Sequence, residues 1–150
     1  MIEVYTDGSC VGGGGPGGWA FIMIHNEVEY HVSGGDTNTT NNRMELQAVI
    51  EALTFKDVEI QEDIKIYKIY TDSQLTLQCA KGNWKRKANL DLWEVYNEVS
   101  RGKEIQWEWV KAHVAKKSWN KQNTYNDMVD KLAKEQTISH TIRYNEDLII

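Results

Sequence analysis

Proline and cysteine are scarce in this chain of 150 residues, which holds one proline and two cysteines. One proline and no internal repeat exclude a collagen-like or proline-rich chain. Cys10 and Cys79 are too few for a disulfide scaffold, so a reducing compartment, the cytoplasm, is the expectation. No run of about 18 apolar residues occurs, so no helix is expected to span a membrane. The opening MIEVYTDGS has an acid at Glu3 and no basic stretch, so a secretory signal is not expected. Positive charge is also in deficit, with a net charge of −5. Taken alone, that argues mildly against a nucleic-acid partner.

What is present fits one globular domain, 41% hydrophobic and 26% charged. The charge is unevenly spread. Residues 1–80 carry a net −8, residues 81–121 a net +5 and residues 122–150 a net −2. An acidic first half with a basic middle points to a carboxylate centre beside an anion-binding surface.

Ile2, Val4 and Thr6 alternate with Glu3 and Tyr5, predicting a strand that ends at Asp7. A glycine-rich turn at 11–18 follows, then strands at 19–25 and 28–34 in an antiparallel meander. The period then changes. Leu46, Val49, Ile50 and Leu53 form one helical stripe, predicting a helix from about 42 to 56 after the capping oxygens of residues 39–42. An acidic loop at 57–63 precedes a β-branched, aromatic strand at 64–71. A helix at 73–80 capped by Asp72 or Ser73 comes next, then a helix capped by Asp91. A strand at 105–110, a basic loop at 111–124 and a helix striped by Tyr125, Met128, Val129 and Leu132 complete the order. Three hairpin strands followed by alternating helices and strands imply an α/β mixed sheet with helices on its faces. Residues 1–136 are read as the domain, and 137–150 as a C-terminal tail of uncertain structure.

Asp7 and Asp72 each stand at the C-terminal end of an apolar strand, the edge where α/β sheets bind ligands. Glu45 and Asp130 flank the apolar stripes of their helices, so both can be aimed at that edge. Four converging carboxylates repel one another unless a hard divalent cation lies between them, and Mg²⁺ suits oxygen ligands.

The strings TDGSC, TNNRMEL, YTDSQ, NLDLW, WVKAH and NDMVDKLA occur in this order over residues 2–135. Together they resemble a type one ribonuclease H. The resemblance implies a five-stranded mixed sheet of order 3-2-1-4-5 with helices on both faces. It implies an endonuclease that cuts the RNA strand of an RNA–DNA hybrid, without strong sequence specificity, to 5′-phosphate and 3′-hydroxyl ends. Asp7, Glu45, Asp72 and Asp130 match the family's metal ligands, with two Mg²⁺ ions expected and Mn²⁺ as a substitute. Asp127 lies off the NxxxD spacing that selects Asp130. His113 matches the family's loop histidine, which assists proton transfer and product departure. The resemblance places Cys10, Gly13, Asn41, Asn42 and Gln74 at the hybrid's minor groove, where 2′-hydroxyls are exposed. It places Thr40 and Asn89 at a phosphate of the DNA strand. A monomer without a membrane partner is expected.

Three stretches depart from the family pattern. Only six residues separate Trp84 from Asp91, so the basic protrusion of some members is expected in reduced form, with Trp84, Lys85, Arg86 and Lys87 retained. Twelve residues, 114–125, separate His113 from Asn126, against roughly five as the common spacing. Gly13 stands where an asparagine is common, which removes a side-chain contact but lets the backbone approach RNA.

Competing readings fare worse. Gly12, Gly14 and Gly17 satisfy GxGxxG, but the strand-like WAFIMI follows where a dinucleotide site requires a helix. A non-catalytic relative predicts a lost carboxylate, and none is lost. TNNRMEL and NDMVDKLA fit a ribonuclease better than an integrase-like transferase.

Overall fold

Side-chain alternation sorts the strands into two buried faces, and each face takes its own helices. The structure, a computed structural model, describes residues 1–56 and 66–149. Its elements are β1 (Ile2–Cys10), β2 (Gly15–His25), β3 (Val28–Thr39), α1 (Asn41–Thr54), β4 (Ile66–Thr71), α2 (Gln74–Ala80), α3 (Leu90–Ser100), β5 (Glu104–Trp109) and α4 (Lys121–Ile149). The sheet order is β3-β2-β1-β4-β5. β1 runs antiparallel to β2 and parallel to β4, β2 antiparallel to β3, and β4 parallel to β5. This is the expected five-stranded mixed sheet with its first three strands antiparallel.

Ile2, Val4, Phe21, Met23 and Ile69 face one core with Leu46, Val49 and Leu53 of α1 and Trp93 and Tyr96 of α3. Tyr5, Ala20, Ile22 and Tyr70 face the other, with Val129 and Ala133 of α4. Helices therefore cover both faces. Truncating a fully buried side chain such as Ile69 to alanine costs about 2–5 kcal/mol.

Several boundaries differ from the expectation. β1 runs past Asp7 to Cys10, because Ser9 and Cys10 pair with Gly18 and Gly17 of β2. Half of the glycine run is thus strand, and β3 extends to Thr39. Glycine pairs through its backbone but has no side chain to show alternation. Thr40 is the N-cap of α1 and accepts from the Arg43 amide at 3.3 Å, and Ser73 caps α2. Asp91 does not cap α3. Asn89 stands at that position in a left-handed conformation (φ 56°) without a side-chain cap, and Asp91 lies inside the first turn.

The basic segment after β5 holds one 3-10 turn at Lys116–Ser118, and α4 begins within it. Asn120 and Asn123 cap that start reciprocally, each side chain accepting the other's amide at 2.9 and 3.0 Å. Residues 137–149, read above as a tail, continue α4 without a break. The acidic loop at 57–63, the first two residues of the strand predicted at 64–71, and residue 150 lie outside the described residues. Among the described residues no helix is long and apolar enough to cross a membrane.

Candidate active site

Strand register sets the first two acids. Parallel pairing of β1 with β4 aligns Tyr5 with Tyr70, and two residues later come Asp7 on β1 and Asp72 just past the end of β4. The Tyr5 and Tyr70 rings stack at 4.5 Å between centroids, and Tyr125 of α4 stacks on Tyr5 at 4.9 Å. The aspartates thus leave side by side above an aromatic floor.

A missing side chain sets the third. A Cβ on Gly8 would lie 2.3 Å from the Glu45 amide nitrogen, so only glycine lets the first turn of α1 rest on β1. That contact brings Glu45 to Asp7. One oxygen from each of Asp7, Glu45 and Asp72 falls within 4.8 Å of the others. Asp130 borders the same cleft but stands outside that trio, its Oδ2 paired with Lys134 Nζ at 3.0 Å. α4 reaches the cleft because Gly18 is bare, since a Cβ there would sit 2.3 Å from the Ala133 carbonyl.

Burial is the first cause that pushes the Asp7 carboxyl far above the ordinary range, and the charges of Glu45 and Asp72 add to it. Glu45 is pushed up likewise by burial and then by Asp72. Asp72 rises for the same first reason, opposed by a side-chain hydrogen bond from Asn126 and the nearby His113. The Gly8 amide donates to Asp7 Oδ1 at 2.9 Å. Asp7 Oδ2 and Glu45 Oε2 are buried with no hydrogen-bond partner. Such oxygens, crowded by like charge, fit a hard cation that takes oxygen ligands. The trio can therefore hold a divalent metal.

A family model described as RNase H matches residues 1–138. The chain is 38% identical to a ribonuclease H of Ehrlichia ruminantium (strain Gardel), covering 91% of this chain and 94% of that one. It is 39% identical to a ribonuclease H of Campylobacter jejuni, covering 91% of each. The chain belongs to the ribonuclease H family. As a ribonuclease H it is an enzyme, a nuclease of the hydrolase class. Two solved structures share the fold. The N-terminal RNase H domain of a Mycobacterium tuberculosis protein superposes with a TM-score of 0.77 at 20% identity, covering 95% of this chain and 96% of that one. LC11-RNase H1, solved in complex with an RNA/DNA hybrid, superposes with a TM-score of 0.73 at 20% identity, covering 93% and 98%.

Of the other residues singled out in the sequence, His113, Asn41 and Asn42 line the ribonuclease H cleft. His113 is exposed at its edge, in a left-handed conformation (φ 58°) that non-glycine residues seldom adopt. Asn41 and Asn42 line the cleft from the first turn of α1. Cys10 lies nearby, its thiol donating to the Thr39 carbonyl at 3.4 Å, and Gly13 sits in the open turn before β2. Gln74 is exposed at the start of α2. Thr40 and Asn89 are joined by Arg43, whose guanidinium donates to Asn89 Oδ1 at 3.3 Å and to both Asp91 oxygens at 3.0 and 2.8 Å. That fork holds the Asp91 carboxyl down at about 2.

Of the basic segment, Trp84, Lys85 and Lys87 are exposed, whereas Arg86 is turned inward. Its Nε donates to the Cys79 carbonyl at 3.1 Å and its Nη1 to Asn97 at 2.7 Å. The guanidinium also lies 4.2 Å from the Trp93 ring centroid. Arg86 pins the segment to α3.

Two participants were missed in the sequence. Asn126 bonds the Asp72 carboxylate, and Lys134 neutralises Asp130. Their signal was spacing, since 126, 130 and 134 lie four apart on one side of α4.

Proposed function

We propose that this ribonuclease H, as a type one member, cuts the RNA strand of an RNA–DNA hybrid without strong sequence preference, leaving 5′-phosphate and 3′-hydroxyl ends. The observation that carries the reading is the trio Asp7, Glu45 and Asp72 with two buried, partnerless oxygens at the sheet edge. With Asp130 these residues hold two divalent ions, Mg²⁺ by donor chemistry and Mn²⁺ as a substitute. Bound there, such ions supply an activated water and stabilise the departing 3′-oxygen.

The chain's own side chains do the rest. Asn126 holds the Asp72 carboxylate in place. His113, exposed at the cleft edge, passes a proton through its imidazole. A covalent nucleophile is unnecessary, and the obvious hydroxyl and thiol are engaged elsewhere. Ser73 Oγ caps α2, and Cys10 Sγ bonds the Thr39 carbonyl.

For the substrate, Cys10, Gly13, Asn41, Asn42 and Gln74 face the minor groove, and Thr40 and Asn89 take a phosphate of the DNA strand. Trp84, Lys85 and Lys87 form the reduced protrusion. The inward turn of Arg86 leaves it out of that surface. The solved complex of LC11-RNase H1 with a hybrid supports this class of substrate. The catalytic domain is residues 1–136, extended by the rest of α4. Free Cys10 and Cys79 suit a monomer in a reducing cytoplasm.

The experiment is a labelled RNA–DNA hybrid with Mg²⁺, beside duplex DNA and duplex RNA. The expected result is cleavage of the hybrid's RNA strand alone. An intact hybrid, or cut duplex DNA, overturns the reading.

A further inference from the structure

Val114, Trp119 and Asn123, from the twelve residues between His113 and Asn126, help line a cavity of about 290 Å³ beside the carboxylates. It shares Asp72, Ala112, His113 and Asp130 with the catalytic cleft. Its remaining walls are Lys111, Val114, Trp119, Asn123, Asn126 and a further acid, Asp127. The walls are fixed. The Trp119 indole N–H donates to the Val114 carbonyl at 2.9 Å, closing the turn on itself. Asn123 is held by its reciprocal bonds with Asn120. Lys111 is exposed, and among the described residues it has no carboxylate partner.

Whatever fills a cavity that shares four residues with the cleft is continuous with the group being cut. Beside this many acids an anion settles only where an unpaired cation faces it, and Lys111 is that cation. The same cavity is also lined by an indole and an isopropyl group, which suit the apolar side of a sugar.

We propose that this cavity is a subsite for the RNA strand next to the scissile link. Val114 and Trp119 seat the neighbouring ribose, and Lys111 takes the next phosphate along. The inference rests on the hybrid reading above and assigns the 114–125 segment a substrate role.

The test uses the full chain and a hybrid confined to one cleavage site. Each of the two linkages flanking the scissile one is replaced in turn by a neutral methylphosphonate. Wild-type kcat/KM is expected to fall about fivefold for one of the two. Lys111→Ala should lose a similar factor on the unmodified hybrid and nothing more on the modified one. Trp119→Ala should shrink the same step. Should Trp119→Ala misfold, Lys111→Ala decides, because its side chain is exposed. Additive losses for Lys111→Ala and the methylphosphonate overturn the subsite, as does a wild type indifferent to both linkages. A wild type that leaves the unmodified hybrid whole overturns the hybrid reading first, and the subsite with it.

Discussion

The floor of the cleft and its rim are built by different means. The floor acids stand on β1, α1, α4 and the end of β4, and their positions follow from strand register and two bare glycines. Much of the rim is loop, and its residues are placed by a few hydrogen bonds each, such as Trp119 to Val114 and Arg86 to Cys79 and Asn97. The floor holds charge where water is scarce, so it needs the rigidity of packed elements. In the proposed reading the rim meets a polymer of varying sequence, and exposed polar groups suffice for that.

Asp7→Asn should break the floor most sharply. It removes a metal ligand and a repelling charge together, so cleavage should fall at least about a thousandfold while hybrid binding survives. A cleavage assay beside a binding titration checks both, and retained turnover would reject the metal assignment.

Gly8→Ala attacks the same floor through the backbone. Its new Cβ meets the Glu45 amide, so α1 must shift, at about 1–3 kcal/mol of stability together with a loss of activity. Gly14→Ala is the contrast, since its nearest neighbour lies 3.6 Å away. Denaturant unfolding of the two variants should separate them clearly.

The third effect is a pH dependence. Asp7, Glu45 and Asp72 are raised in the folded chain, so it keeps protons that the unfolded chain releases above about pH 4. With more protons bound in the folded state, stability without metal should fall as pH rises from there through neutrality. Millimolar Mg²⁺ should raise Tm by a few degrees and flatten that decline. Thermal melts across pH with chelator and with Mg²⁺ read both. A metal-free Tm that climbs over this range would refute the crowding of charge.

The smallest effects separate the two kinds of basic residue on the rim. Arg86→Ala should cost about 1–2 kcal/mol of stability, through its lost bonds and ring contact, and leave the salt dependence of hybrid binding unchanged. Lys85→Ala and Lys87→Ala should each lower that salt slope by about one and leave stability alone. The opposite pattern would place Arg86 on the substrate.

The floor was legible in the sequence because each of its acids is tied to a periodic pattern. Asp7 and Asp72 follow alternating strands, and Glu45 and Asp130 flank helical stripes. What stayed hidden lacked such a pattern. Ser9 and Cys10 extend β1 against glycines that show no alternation. Residues 138–149 carry exposed Ile138, Ile142 and Leu148, so no packed face announced the rest of α4. Arg86 read as one charge among lysines, and only the nearness of Trp93 and Asn97 in space turns it inward.

The side-by-side register of β1 and β4 constrains how this chain can change in length. Side chains alternate along a strand, so one residue inserted between Tyr70 and Asp72 would turn the second acid toward the opposite side of the sheet. The stretches Tyr5–Asp7 and Tyr70–Asp72 are therefore fixed in count. Changes in chain length are confined to the connections between elements.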